Sequence, residues 1–318
     1  MAVENMEVGS NSTPVTEFVL VGFTREPHLQ VVLFLLFLFS YTLTMMGNLG
    51  LMTLIFLDSH LHTPMYYFVS SLSFLDIWYS TVYTPRILTD CISKRQVMSY
   101  ASCAAQFFFS AGLGFSECYL LAAMAYDRYV AICNPLLYSS VMTRKLCFQM
   151  VASSYAAGFA NAIVHTSNTF RLHFCGDNTI NHFFCDVPPL LKMACDDTKV
   201  YEIILSTVVG CNMLATTALI LISYMAILVA ILRIRSVIGQ RKAFSTCSAH
   251  LISVSLFYGS ILFIYVQSSS QHTSDWDKIT ALFYTVVNPL VNPIIYSLRN
   301  KDVKVAFKKA LGRTRGPR

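Results

Sequence analysis

At 318 residues the chain is long enough for about two soluble domains, but its composition excludes them. Hydrophobic residues make up 55%, charged residues only 13%, and mean hydropathy is +0.54, whereas a soluble domain carries roughly 25% charge. The 23 Lys and Arg against 17 Asp and Glu leave a net charge of +6, too dilute for a nucleic-acid-binding surface. An integral membrane protein built as a single bundle over residues 1–318 satisfies both length and composition.

In chain order, residues 1–28 are polar and slightly acidic, with neither a basic start nor an apolar core of the kind a cleaved signal peptide needs. Asn11-Ser12-Thr13 is a glycosylation sequon, useful only on the outer side. Apolar stretches then recur at about 30–57, 65–88, 101–131, 146–166, 200–232, 244–266 and 277–297, each near the ~20 residues that span hydrocarbon. They are expected to be helices, because lipid leaves backbone groups unsatisfied and no alternating barrel pattern is present. The fourth is diluted by Ser153, Ser154, Asn161 and His165. After Leu298, Val303, Phe307 and Leu311 alternate with Lys304, Lys308 and Lys309, which predicts a short amphipathic helix on the inner leaflet. The fold class is therefore an all-α, seven-transmembrane-helix bundle with a short amphipathic C-terminal helix.

Charge sets the expected orientation. With the N-terminus outside, Arg128, Arg144, Lys145, Arg233, Arg235, Arg241, Lys242 and the basic tail from Arg299 to Arg318 all fall inside, opposed only by Asp58, Asp127 and Asp302. Positive-inside asymmetry predicts a multi-pass plasma-membrane protein with its N-terminus outside and residues 298–318 in the cytoplasm. No internal repeat suggests a transporter, and no nucleophile–base set or metal quartet suggests an enzyme. His182, Cys185 and Asp186 are metal-ligand types, but a disulfide at Cys185 would consume the thiolate. His165 is open to two readings, ligand contact or ordinary packing.

The third span ends Met124-Ala125-Tyr126-Asp127-Arg128-Tyr129-Val130-Ala131-Ile132-Cys133. An acid beside an arginine at a helix mouth can pair with it, and opening the pair frees Arg128 for another partner. Further landmarks are Gly47-Asn48, Leu61-His62-Thr63-Pro64-Met65-Tyr66, Ser223-Tyr224, Lys242 through His250, Phe257-Tyr258-Gly259 and Asn292-Pro293-Ile294-Ile295-Tyr296. In this order, over essentially the whole chain, the set resembles the rhodopsin-like G-protein-coupled receptors, and specifically the tetrapod-type (class II) olfactory receptors. Ala249 stands for a more usual serine, and Asn288-Pro289-Leu290-Val291 for a more usual Pro-x-x start.

The resemblance implies a non-enzymatic odorant receptor coupled through a stimulatory, olfactory-type G protein to adenylyl cyclase, with Asp127, Arg128, Tyr129, Tyr224, Asn292, Pro293 and Tyr296 as coupling and switch residues. Pro293 removes a backbone donor and allows a kink. Asp76 and Glu117 fall mid-membrane, where an ionised carboxylate needs a proton, a cation or a donor. A site for Na⁺ or a proton is the expectation, against a neutral polar knot that only packs helices. Cys91, Cys103, Cys175, Cys185 and Cys195 lie on the expected outer side, and spacing cannot choose their partners. The resemblance implies Cys103–Cys185 and Cys175–Cys195, leaving Cys91 over; Cys133 is a possible palmitoylation site. Helical spacing points Phe107, Ser110, Ala111, Gly114 and Phe115 into the bundle as candidate ligand contacts. The resemblance adds Val208, Val209, Asn212, Tyr258, Ile261, Leu262, Tyr265 and Thr285. Without Lys or Arg in the set, the expected ligand is small, volatile and mostly apolar rather than a carboxylate.

Overall fold

The computed structural model of the chain describes residues 15–24, 26–93, 95–175, 178–268 and 274–314. Asn11 and the side chains of Tyr265 and Leu311 lie outside the described residues.

Local chemistry sets where the helices begin. Helix α1 (Pro27–Leu57) and α2 (Pro64–Ile92) each open on proline, whose missing N–H is no loss in a first turn. Between them Asp58 caps a short 3₁₀ turn at Ser59–Leu61 by accepting the His60 N–H at 3.1 Å. Helix α3 (Tyr100–Cys133) starts where Ser99 Oγ accepts the Ser102 N–H. A one-turn α4 (Tyr138–Val141) leads to α5 (Arg144–Thr169), which is capped by Thr143 Oγ1 on the Leu146 N–H. After a short α6 (Val187–Lys192) come α7 (Lys199–Arg233) and α8 (Val237–Ser268). The last crossing is α9 (Ser274–Leu282), a π-turn at Phe283–Val287, and α10 (Asn288–Arg299), followed by α11 (Lys301–Thr314).

Six crossings are apolar by length and composition alone. The remaining crossing is α2, whose Asp76, Arg86 and Asp90 lower its hydropathy although its 29 residues extend roughly 43 Å at 1.5 Å per residue. Two spans differ from the apolar pattern. Helix α8 starts at Val237 rather than near 244, because Gln240, Arg241 and Lys242 continue as helix beyond the apolar stretch. The seventh crossing is interrupted by the π-turn, one residue wider per turn, just before Asn288-Pro289.

Helix α3 is the central post: 56% of its most apolar window is buried, against 11% for α1. Its closest neighbour is α5. A Cβ added at Gly158 would collide with Ser116 Oγ and lie 2.7 Å from the Gly112 carbonyl, so only glycine permits this approach. One core, with Leu61, Leu72, Leu120, Leu121 and Met124, fills the half of the bundle nearest Arg128. Leu35, Leu36 and Phe39 on α1, with Leu219, Ile222 and Leu232 on α7, remain exposed, as surfaces solvated by lipid require.

The opposite end carries a feature absent from the sequence reading. Glu17–Leu20 (β1) is the middle strand of a sheet, antiparallel to Val97–Ser99 (β2) and parallel to Thr179–Ile180 (β3). Part of a segment read only as a polar, outer N-terminus thus forms a roof. Its alternating Phe18 and Leu20 are buried against Cys103, Phe107, Cys185 and Leu190. Beyond the strand, the Gly22 carbonyl accepts from Lys278 Nζ at 2.8 Å, tying the roof to α9.

Candidate functional site

Polar chemistry concentrates at three levels of the bundle. At the end opposite the sheet, Arg128 pairs with the neighbouring Asp127, which also accepts the Tyr138 hydroxyl at 2.8 Å. Both charges are buried: Asp127 is 0% and Arg128 6% exposed. Burial first and the Asp127 charge second push the Tyr138 phenol up, keeping it a neutral donor. Tyr224 does not reach Arg128; its hydroxyl lies 2.7 Å from His250 Nδ1, while His250 Nε2 is 3.0 Å from the Leu121 carbonyl. A carbonyl can only accept, so Nε2 carries the proton and Nδ1 accepts from Tyr224. Tyr296 is buried with its hydroxyl unpaired, and Tyr129 packs partly buried beside Tyr224 and Ile227.

Arg128, Tyr138 and Tyr296 line a cleft of about 860 Å³ whose other walls include Arg241, Lys242 and Lys301. Helix α11 is pinned beside it: Tyr66 donates to Asp302 Oδ2 at 3.3 Å, and Lys309 Nζ is 3.5 Å from Asp58 Oδ2. The backbone N–H and ring of His60 hold the Asp58 carboxyl down to about 2, so this acid stays ionised at neutral pH. Val303 and Ala306 bury the inner face of α11, whereas Phe307 is exposed.

Mid-bundle, Asp76 accepts from Asn292 Nδ2 at 3.1 and 3.2 Å, and Asn292 Oδ1 accepts from Ser253. Glu117 lies within electrostatic reach of Asp76, yet its Oε1 is buried without a partner, as are Asn48 Oδ1 and Asn288 Nδ2. Asn48 also binds the Pro289 carbonyl at 3.0 Å, and Gly47 lets α1 approach the Pro293 ring. The unpaired oxygens of Glu117 and Asn48 are hard donors of the type a monovalent cation accepts, so the residues present fit such an ion. Among the described residues no three His, Cys, Asp or Glu side chains converge as a metal site.

At the sheet end, Cys103 is joined to Cys185 and Cys175 to Cys195, with Cα–Cα separations of 5.6 and 6.0 Å. Cys91 and Cys133 are free and partly buried.

The candidate ligand residues divide. Phe107 is buried edge-on to Phe170, with ring centroids 5.8 Å apart. Ser110 bonds the Tyr83 hydroxyl, and Phe115 stacks on His165 at 5.2 Å. Ala111, Gly114, Val208, Val209 and Ile261 are partly buried. Asn212 is committed to a triangle with Tyr119 and Asn161 that ties α7 to α3 and α5. Tyr258 donates to Thr216 Oγ1 at 2.8 Å, and Thr285 to the Ala281 carbonyl at 2.7 Å. Leu262 is a correction: it is 64% exposed, because the buried face of α8 centres on Ser253 and Phe257, and Leu262 lies beyond the partly buried Tyr258 at the outer edge of that face. Sequence reasoning passed over Tyr138, His250, Tyr119 and Asn161 as sites. The available signal was a polar side chain at helical spacing on an otherwise apolar face.

Comparison with known proteins agrees with this arrangement. The family model described as "Olfactory receptor" matches residues 37–314. The chain is 60% identical over 306 residues to Olfactory receptor 9G4 of Homo sapiens, covering 96% of this chain and 93% of the relative. It is 56% identical over 301 residues to Olfactory receptor 9G19 of Mus musculus, covering 95% and 99%. Squid rhodopsin shares the fold with a TM-score of 0.72 at 17% identity, over 91% of this chain and 82% of that one. The apolar crossings, the Asp127–Arg128 pair at the mouth of α3 and the two disulfides therefore belong to a multi-pass membrane receptor, not an enzyme: the chain is a member of the olfactory receptor family.

Proposed function

We propose that this receptor takes small, volatile, mostly apolar odorants into the bundle between α3, α7, α8 and the last crossing, with His165 of α5 alongside, and activates a stimulatory, olfactory-type G protein, raising cyclic AMP. The observation that carries the coupling half is the basic cleft beside Arg128. The cleft, about 860 Å³, is large enough to admit the end of a helix about 10 Å across. The Asp127–Arg128–Tyr138 set is then a resting lock whose opening presents Arg128 to the partner. Charge asymmetry supports this end as the cytoplasmic one, with the sheet, the disulfides and Asn11 outside.

In the same reading Asp76 and Glu117, with Asn48 Oδ1, hold Na⁺ in the resting state, where the ion's charge offsets that of two buried carboxylates. A proton shared between the carboxylates is the alternative tenant. A cyclic-AMP reporter screen of a diverse odorant panel, in cells carrying this chain and the olfactory G protein, tests the reading. A receptor displayed at the surface but silent to every odorant would refute it. Endoglycosidase sensitivity that disappears in Asn11→Gln, with tail epitopes reached only after permeabilisation, tests the orientation.

A further inference from the structure

The buried face of α5 runs Cys147, Ser154, Gly158, Ala162, His165 and Thr169, at the three- and four-residue spacing of one helical stripe. This stripe is the face turned to α3, and its hydroxyls are each closed locally. Ser154 donates to the Met150 carbonyl at 2.7 Å. Thr169 donates to the His165 carbonyl and meets the Tyr201 hydroxyl of α7, both at 2.7 Å. One turn below His165, Asn161 closes its triangle with Tyr119 and Asn212. His165 is the exception in this stripe; beside it Thr166 Oγ1 is likewise buried without a partner. The His165 side chain sits between these two closed levels, the residue is 2% exposed, and Nε2 has no hydrogen-bond partner.

The ring is nevertheless held in place. It lies flat on Phe115, at 5.2 Å between centroids and an interplanar angle of 8°. Phe115 belongs to the α3 face that the proposed function assigns to ligand. His250, the other buried histidine of the bundle described above, has both nitrogens engaged and one fixed tautomer. No such carbonyl fixes His165 Nε2, so this atom can present either an N–H or a lone pair. A buried polar atom without a partner is costly, and a group supplied from outside recovers that cost.

Resting on the odorant reading, we infer that His165 is the polar anchor of the ligand site and selects small apolar molecules carrying one hydroxyl or carbonyl oxygen. A hydroxyl satisfies either tautomer, a carbonyl only the Nε2–H form. A carboxylate is disfavoured, because no cation accompanies the ring in the candidate ligand set. His165 is a specificity residue here, since the apolar walls contribute the bulk of the contact area without discriminating oxygenated from hydrocarbon ligands.

The test uses the full-length receptor and a panel of straight-chain alcohols, aldehydes and ketones of about six to ten carbons, in the size range such pockets enclose. His165→Phe keeps the stacked ring and removes the nitrogen; His165→Gln keeps a hydrogen-bonding group and loses the ring. At matched surface density, His165→Phe is expected to weaken every oxygen-bearing agonist about tenfold, the worth of one hydrogen bond. His165→Gln is expected to retain most of the potency. Unchanged potency in the phenylalanine variant, or equal loss in both variants, overturns the inference. If His165→Phe fails to reach the surface, purified wild-type receptor labelled with ¹⁵N-histidine decides. The His165 resonance, assigned by its loss in His165→Gln, must move when agonist saturates the receptor, and a stationary resonance also overturns the inference. A displayed wild type that answers none of the panel removes the odorant reading itself, and this inference falls with it.

Discussion

Tyr138→Phe isolates the contribution of a single hydrogen bond to the resting state. The Tyr138 hydroxyl donates to Asp127 Oδ1 at 2.8 Å, and that carboxylate is fully buried beside Arg128. A hydrogen bond to a charged group contributes about 1.5–3 kcal/mol; with Tyr138 half-buried, the lower end applies. Phenylalanine retains the ring, so packing against the end of α3 persists. If the bond exists only while Arg128 stays on Asp127, its loss weakens the resting state by about 1.5 kcal/mol, a roughly tenfold shift toward the active state. Ligand-independent cyclic AMP, normalised to surface receptor, should rise by a comparable factor wherever the reporter is below saturation. Asp127→Asn, which also removes the charge that holds Arg128, should raise it at least as far. Basal signalling that is unchanged or lower in Tyr138→Phe at equal surface density would show that the bond does not distinguish the two states.

Loop-closure entropy ranks the two disulfides. A separation of 82 residues for Cys103–Cys185 against 20 for Cys175–Cys195 gives about 4.5 and 3.3 kcal/mol, so Cys103→Ser should impair surface delivery more than Cys175→Ser; the reverse order by flow cytometry contradicts the ranking. Gly158→Ala drives a methyl into Ser116 and Gly112 and should lower the thermal-unfolding midpoint of detergent-solubilised receptor by several degrees, through overpacking of about 1–3 kcal/mol, whereas Gly50→Ala, with open space around it, should not; equal midpoints would mean that α3 and α5 separate freely. Glu117→Gln should make basal nucleotide exchange less sensitive to replacement of sodium by a large organic cation. A wild type already indifferent to that replacement leaves Asp76 and Glu117 with a protonic or purely packing role.

The sequence was most readable where one physical requirement acts on a whole segment. Hydrocarbon demands long apolar helices, so the seven crossings were placed within a few residues, and Asp127-Arg128 stood out as charge at a helix mouth. Readability failed where meaning depends on a distant neighbour. Phe18 and Leu20 alternate as a strand should, but four residues cannot announce that β2 and β3 lie on either side. Tyr224 was legible only as a switch residue implied by the resemblance, with no partner named for it. The structure supplies that partner, His250, a side chain whose sequence context showed only a motif. Leu262 failed for a simpler reason: it shares a helical side with Tyr258, but the buried face of α8 is centred further round on Ser253 and Phe257, so the ligand face was drawn too wide. The disulfide partners were never legible from spacing and came through the resemblance alone.

The positions of the unpaired polar atoms connect ligand reception to coupling. In the membrane-embedded core most polar side chains described above close within a helix or across one helix pair, as in the Tyr119–Asn161–Asn212 triangle. Among the described residues of that core, open valences remain at His165 and its neighbour Thr166, and in the group formed by Glu117, Asn48, Asn288 and Tyr296. Helix α3 joins these two places over a short distance: Phe115, on which His165 lies, is two residues from Glu117, about 3 Å of rise and 200° of turn. A ligand that pushed the α3 backbone at Phe115 would move Glu117 with it. Rotation of α3 as a body would move Glu117 relative to Asp76 on α2 and carry Arg128, three turns further along, relative to Tyr138. At Gly112 and Gly158 each helix receives a side chain of the other, Phe159 against Gly112 and Ser116 against Gly158, so a rotation of α3 would carry α5 with it or break this packing. The same helix therefore holds the proposed ligand ring, the proposed ion carboxylate and the coupling arginine, and a few degrees of rotation changes the surroundings of all three together.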